Sequence, residues 1–528
     1  VEPSVYQSDL YVPPPWHWGD AVKTLLPWGV PWLALAVHAL TAAAMLRWSR
    51  WRTEGQQAPA GRESFSTPAG SAPAPGHTAA ATQKDLGGGL DSSGALGLGA
   101  AILAAVFAAT TSFTMAQCDL SGRKVAIYEH GQLDWEKPKF DQYGREAAGQ
   151  YGMLPTLLGS LGAQCARTAD LASPAVAAAD VLVVIHPAQP WSGEQIERVW
   201  DYVRRGGALL VVAEPRFQED GAASSFNDLL QTIGVEVRFD TAIPTARHWQ
   251  HGLETTVHPA TAGIDDAYNG FALAESSSIR LGWQGRPILV GRWGWSDPGS
   301  DAVLTGVSRF DPGERLGDLV LAAEQRVGQG TVIVLADANP LKNLGIPSGY
   351  EFTGRLLGYL ASRSSSPAAG WRQILGLLAG LGLLWLLARR ACPERLAVSL
   401  VVIVLLWELS VNLTAARSRV LLDGRSATPN RVVCIDASHL NEASGVLWSD
   451  DGLAGLELTL MRNGYQPIVL RRWNDGQLQR AGMLISIGPA RPFAETEHGD
   501  VRRFLQQGGV MLCMAGADRA AAIEPLLN

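Results

Sequence analysis

The segment Trp200–Pro215, WDYVRRGGALLVVAEP, has a counterpart 302 residues later in Arg502–Ala517, RRFLQQGGVMLCMAGA. The match extends upstream without a gap. Over 181–213 against 483–515, ten of 33 positions are identical, among them Leu182, Pro187, Pro190, Val199, Gly206, Gly207 and Leu210. A unit written twice must fold the same way twice, so this repeat constrains the fold more than any single motif does. Each copy reads as a short apolar strand, an amphipathic helix, a Gly-Gly pair and a second apolar strand. In the first copy Ser192 is a candidate N-cap, Ile196, Val199, Trp200 and Val203 form one helical stripe, and Gly206 fits the C-terminal cap. Further upstream RKVAIYEHG meets NRVVCIDASH at an offset near 308, and GMLPTLLGSLGAQ meets GLELTLMRNGYQP. Continuous apolar strands alternating with such helices predict a parallel sheet covered on both faces. The expectation is two Rossmann-like α/β domains, at 119–366 and 430–528, the second truncated after its fourth strand.

Charged residues make up 18% of the chain, below the roughly 25% usual for soluble proteins, and 47% are apolar. The shortfall is local. Four stretches, 24–46, 92–118, 371–388 and 396–416, approach the about 20 apolar residues of a membrane-spanning helix and predict four transmembrane helices. The Arg-rich segments RWSRWR (47–52) and ARRACPER (388–395) place the cytoplasmic side. Residues 47–91, rich in Ala, Pro, Gly and Ser, then read as a disordered cytoplasmic linker and 1–23 as an outward N-terminal segment. Both α/β domains would face outward from a bacterial inner membrane. Gly376 and Gly380 form a GxxxG pair, and Glu408 and Asn412 share one helix face, so these four are expected contacts with other integral membrane subunits.

A net charge of −7 gives no nucleic-acid footprint. The five cysteines, Cys118, Cys165, Cys392, Cys434 and Cys513, show no CxxC, which points away from structural zinc and from a dense disulfide framework. His248, His251 and His258 lack a carboxylate or Cys at ligand spacing, so neither a metal nor a cofactor is expected. In open parallel sheets, sites form at the carboxyl ends of strands. Those ends carry Glu129, His130, His186 and Glu214 in the first copy, followed later by Asp337, and Asp436 and His439 in the second. The loop holding Glu129, His130, Asp134 and Trp135 combines acid, imidazole and aromatic groups and is the most site-like cluster.

The phrases DVLVVIHPAQPWSGEQIERVWDYVRRGGALLVVAE, SFNDLLQTIGVEV, VHPATAGI and LADANPLKN resemble the class I glutamine amidotransferase-like domains of GldG-type membrane proteins. The resemblance covers about 124–362 well and 431–528 in part. It implies an amidotransferase-like fold, with an ABC-type transporter or a MoxR-linked complex as partner. Active members of that class place a nucleophilic Cys on a tight G-x-C-x-G turn after the fourth strand. The first copy has Ala213-Glu214-Pro215 there. In the second copy Cys513 aligns with Val211, inside the strand and ahead of any turn. The chain therefore reads as a non-enzymatic protein displaying two amidotransferase-like domains to a partner, or to a glycan or peptide ligand. The alternatives are a hydrolase with an atypical strand-end site and a proton-coupled transport subunit using Glu408.

Overall fold

The computed structural model describes residues 118, 120–129, 133–142, 144–186, 189–214, 225–244, 276–362, 419–439, 452–516 and 522–524. Between 244 and 276 it also describes 249, 252–255, 258, 260–261, 264 and 270–274. All of these belong to one compact unit.

The first sheet has nine strands: β1 (Lys124–Tyr128), β2 (Gln164–Thr168), β3 (Val181–Ile185), β4 (Ala208–Val212), β5 (Asp240–Pro244), β6 (Leu253–Thr255), β7 (Arg286–Pro298), β8 (Arg315–Val327) and β9 (Gly330–Leu335). Their order is β2-β1-β3-β4-β9-β8-β7-β5, with β6 also paired to β7. From β2 to β9 every pairing is parallel, and beyond β9 every pairing is antiparallel. The sheet is thus mixed, a departure from the all-parallel expectation. The parallel half is an unbroken apolar run because helices cover both its faces, among them α1 (Leu154–Ser160), α2 (Gly193–Arg204) and α3 (Ile346–Ser362).

The second sheet has four parallel strands, β10 (Val432–Asp436), β11 (Gln466–Leu470), β12 (Met483–Ile487) and β13 (Val510–Met514), in the order β11-β10-β12-β13. That is the order β2-β1-β3-β4 over again. The register repeats as well: Val125 lies opposite Val181 and Cys165, as Val433 lies opposite Met483 and Pro467. Helices α4 (Ala454–Arg462) and α5 (Glu495–Gln506) stand where α1 and α2 stand in the first copy.

The Gly-Gly pair has a local cause in both copies. The amide N–H of Gly206 donates to the Val203 carbonyl (2.9 Å), and that of Gly207 donates to the Tyr202 carbonyl (3.1 Å). Gly508 repeats the first bond to Leu505 (3.0 Å) and Gly509 the second to Phe504 (3.0 Å). This double bond pattern caps a helix whose next residue is left-handed, and φ is +109° at Gly206 and +89° at Gly508. The second glycine answers a packing demand. A Cβ on Gly207 would lie 2.4 Å from the Tyr202 ring, and one on Gly509 would lie 2.3 Å from the Phe504 ring.

One apolar core runs through both sheets. Nearly all of α3 is buried, with Ser348, Glu351 and Ser362 the exceptions, as expected of a helix with neighbours all round. One side of α3 covers β3 and β4, and the other packs on β11. Contact is close enough that a Cβ on Gly354 would lie 2.6 Å from the Val420 side chain. Arg471 Nη1 donates to the Ser348 carbonyl (2.8 Å), and Arg462 pairs with Glu146 (2.8 Å). The two copies therefore share a helix, where the sequence suggested separate domains.

The four transmembrane helices require correction. No helix among the described residues is long and apolar enough to cross a membrane. The stretches 24–46, 92–118, 371–388 and 396–416 lie outside the described residues, except Cys118 at the end of the second. So do Gly376, Gly380, Glu408 and Asn412. The architecture that stands is α/β with a large mixed sheet and a smaller parallel one, and the inner-membrane placement is not carried forward. Cys118, Cys165, Cys434 and Cys513 are thiols, not disulfides.

Candidate functional site

At the carboxyl ends of β1, β3, β4 and β9 the first sheet assembles a chain of charged and aromatic side chains. Glu129, just beyond β1, pairs with Arg167 of β2 at 3.6 Å. The Arg167 guanidinium lies over the Trp135 ring, 4.6 Å from its centroid, a cation–π arrangement. Trp135 is tilted against Tyr151, with ring centroids 6.0 Å apart. The Tyr151 hydroxyl hydrogen-bonds His186 Nε2 at 2.8 Å. That same nitrogen lies 3.9 Å from the carboxylate of Glu214, which forms an ion pair with Lys342. Arg167 is half-exposed, whereas Tyr151, His186 and Glu214 are buried.

Asp337, at the end of β9, is buried beside this pair. Its Oδ2 accepts from the Ala274 N–H (2.8 Å) and the Ser276 hydroxyl (3.3 Å), and its Oδ1 accepts from the Asn339 N–H (2.7 Å). Burial, followed by the negative charge of Glu214, pushes its carboxyl up to about 7, against the pull of Lys342 and the two backbone donors. The loop bearing Lys342 is pinned by Asn343. Its side chain donates to the carbonyls of Glu136 (3.0 Å) and Ala148 (2.9 Å) and accepts from the Met153 N–H (2.8 Å).

His186 is held in an uncommon backbone state, with φ at +40°, and the matching residue of the second copy is Gly488 at +51°. The turn after this strand demands a left-handed residue. Glycine meets that demand without strain; an imidazole meets it at a cost of order 1–3 kcal/mol, which marks a position where the side chain itself is wanted.

The second sheet places a different cluster at the same end. His439 Nδ1 lies 2.7 Å from Asp436 Oδ2, and its Nε2 lies 3.1 Å from Glu497 Oε2. Ser438 donates its hydroxyl to Asp436 (2.7 Å), and Ser486 does so at 3.3 Å. Phe493 stacks on the imidazole at 3.7 Å, and Trp473 meets it edge-on at 5.6 Å. Burial opposes a charge on this imidazole. The bonds and charges of Asp436 and Glu497 outweigh that and hold its pKa above the ordinary histidine value. With a carboxylate on each nitrogen and 0% exposure, His439 is an internal strut and not a base open to substrate. Burial, then the Asp436 charge, raises the pKa of the nearby Cys513 thiol, which keeps it in the unreactive protonated form.

Of the residues the sequence singled out, Glu129, Trp135 and His186 are linked only through Arg167 and Tyr151, while Glu214 lies beside His186 and pairs with Lys342; sequence reasoning missed Arg167, Tyr151 and Lys342. Asp134 serves the turn: its Oδ1 accepts from the Glu136 N–H (2.8 Å) and its carbonyl from the Tyr151 N–H (2.9 Å). His130 lies outside the described residues, as do His248 and His251. Asp436 and His439 do meet, and the missed partners there are Glu497, Phe493 and Trp473. Their signal was available, since Phe493 and Glu497 are the counterparts of Trp191 and Gln195. His258 sits edge-on to Tyr359 (4.5 Å), whose hydroxyl donates to Glu324 (2.6 Å). Among the described residues no three metal-ligating side chains are placed to hold an ion.

Residues 145–350 match a family described as a domain of unknown function (DUF4350). That span includes Tyr151, Arg167, His186, Glu214, Asp337 and Lys342, and stops before the second sheet. No curated protein matches the chain. Among solved structures, the mmIFT52 N-terminal domain is similar over 46% of this chain and 99% of its own, at 13% identity and a TM-score of 0.30. A ThuA-like protein from Bacteroides uniformis ATCC 8492 is similar over 47% of this chain and 93% of its own, at 12% identity and a TM-score of 0.27. The β-galactosidase of Rahnella sp. R3 is similar over 47% of this chain, at 11% identity and a TM-score of 0.25. The match spans 32% of that enzyme's length. At such TM-scores these likenesses carry no argument about activity.

Proposed function

We propose that this protein binds a ligand without transforming it, and that the first sheet carries the site while the second serves as its structural support. The ligand is a glycan or peptide, met by the half-exposed Arg167 and the partly exposed Glu129 and Trp135, with the buried Tyr151 and His186 set directly behind them. The observation that carries this reading is His186, an imidazole kept in a left-handed conformation where the other copy uses glycine. The position at which the amidotransferase-like pattern would set a nucleophile carries Glu214, whose charge is answered by Lys342. A carboxylate that is ion-paired and 1% exposed is not presented to a substrate, which favours binding over the hydrolase alternative.

The test is to titrate the full chain with a panel of neutral and acidic oligosaccharides and short peptides, followed by calorimetry and by product analysis. Binding is expected for the wild-type chain, with His186→Gly reducing it about tenfold or more while leaving the fold intact. Binding that survives His186→Gly and Arg167→Ala together would refute the site. Released product that disappears in Glu214→Gln would establish the hydrolase instead.

A further inference from the structure

The duplication supplies an internal control for the outer part of the first site. The counterparts of Glu129 and Arg167 in the second copy are Ala437 and Val469. Arg167 lies opposite Ile127, as Val469 lies opposite Ile435. The backbone bonds repeat too. The Glu129 N–H donates to the Thr168 carbonyl (2.9 Å), and the Ala437 N–H donates to the Leu470 carbonyl (2.9 Å). The same strand pair therefore forms with two charges or with none, so folding does not require Glu129 and Arg167. Nor do these two satisfy each other. Their separation of 3.6 Å is longer than a hydrogen bond, and Glu129 Oε1 is buried with no hydrogen-bond partner among the described residues. The indole N–H of Trp135 is buried and unpartnered in the same way. Native proteins leave few buried polar atoms unpaired, and two beside one guanidinium point to a partner from outside the chain.

We propose that Arg167 takes the C-terminal carboxylate of a peptide. This rests on the reading that the first sheet binds a ligand, and it names the end of the ligand that meets Arg167. Trp135 holds the guanidinium by its flat face, 4.6 Å from the ring centroid. That contact leaves the N–H edge to form the paired bonds a carboxylate accepts. The neighbouring Glu129 disfavours a bare anion and favours a carboxylate that brings a donor with it. A chain end does so: an amide N–H stands beside its carboxylate, of the kind Glu129 lacks, and a carbonyl of the kind the Trp135 N–H lacks. A sugar fits less well, because the aromatic faces it would stack on are taken. Tyr128 and Tyr151 are 2% and 0% exposed, and Arg167 covers one face of Trp135.

The probe is N-acetyl-trialanine, added to the full chain and followed by calorimetry. It is used as the free acid, as the C-terminal amide, and as an amide with glutamate in place of the middle alanine. The free acid is expected to bind about tenfold or more tighter than either amide, the scale of one lost hydrogen bond to a charged group. Arg167→Val should abolish that preference, and Arg167→Lys, which keeps the charge without the fork, should retain part of it. Arg167→Val and Glu129→Ala give the first copy the residues that the second already folds with, so both should keep the wild-type circular dichroism and unfolding midpoint. Equal affinity for acid and amide, with both lost in His186→Gly, would overturn this inference and leave the ligand site standing. A glutamate-containing amide that binds as tightly as the free acid would overturn the chain-end assignment in favour of an acidic side chain. Failure of the free acid to bind also overturns the proposal. If an oligosaccharide binds instead, the site stands; if nothing binds, both readings fall.

Discussion

The strand ends of the two sheets started from one plan and diverged in what they do with charge. In both, an aromatic residue just before the second helix of the repeat packs on a side chain at or just past the end of the first strand. Trp191 lies 5.7 Å from Tyr128, and Phe493 lies 3.7 Å from His439. In both, the third residue of that helix also reaches the same place. Gln195 donates to the Tyr128 hydroxyl (3.1 Å), and Glu497 meets His439 (3.1 Å). The second sheet closes this arrangement on itself, with a buried imidazole between two carboxylates. The first keeps it neutral there and places its ions further along, where Arg167 and Glu129 reach solvent. A buried charge is tolerated only with its partner in place. The closed cluster is therefore a brace, and the open one is where we propose that a ligand is recognised.

The largest expected effect comes from Lys342→Met. It strands the Glu214 carboxylate in the core and should cost about 3–5 kcal/mol in a denaturant titration. The double variant Glu214→Gln, Lys342→Met should recover much of that. If it recovers nothing, the pair is not coupled and the electrostatic reading of the first site fails. Next comes His439→Gln, which removes two charge-assisted bonds and should cost about 2–3 kcal/mol. The wild-type contribution has a definite pH sense. A histidine whose folded pKa is raised stabilises fully below its unfolded value, and that stability is lost as pH rises through the folded one. Thermal unfolding of the wild type should therefore move down from pH 6 to pH 9 by more than that of the variant.

Gly207→Ala and Gly509→Ala sharpen the comparison by testing what the copies share. Each drives a methyl group into an aromatic ring and should cost about 1–3 kcal/mol. Pairing Gly509→Ala with Phe504→Leu should relieve part of the cost, as should Gly207→Ala with Tyr202→Leu. Unequal behaviour of the two pairs would show that the shared turn is not equivalently packed. Asp337 yields a smaller, pH-shaped effect. Its carboxyl, raised to about 7, stabilises the fold in the protonated form, so its contribution is present at acidic pH and lost as pH rises through that value. Asp337→Asn should flatten that part of the stability profile. Smallest of all is His186→Gly, where relief of backbone strain offsets lost contacts and stability should change by no more than about 1 kcal/mol. A large loss would make His186 a core residue instead of a retained ligand contact.

Much of the parallel half was legible because its signals are local. Strand, helix, Schellman turn and strand are each written within a few residues, so the match from 181–213 to 483–515 located β3, β4, β12 and β13 correctly. The offset of 308 at the first strand reappears as the pairing of Val125 with Val181 and of Val433 with Met483. The antiparallel extension was not legible, because the long pair β7 and β8 carries register shifts and mixed burial that hide a simple alternation. Of the site, the strand-end acids and His186 could be found by position. Arg167 and Tyr151 could not: the first lies within an edge strand, and the second precedes a helix with no motif around it. Lys342 follows β9 by several residues, and nothing in its neighbourhood distinguishes it from a solvated lysine.

What the sequence determined by itself is the repeated unit and the reason for its two glycines, since helix capping and the fit of glycine under an aromatic ring act over a few bonds. What only the tertiary structure decided is the fate of each copy. Helix α3 is shared between the sheets, β9 continues the first sheet beyond β4 into an antiparallel half, and charge is enclosed at His439 but carried outward to Arg167. Those outcomes depend on contacts between residues far apart in the chain, where packing and desolvation, not local propensity, set the balance.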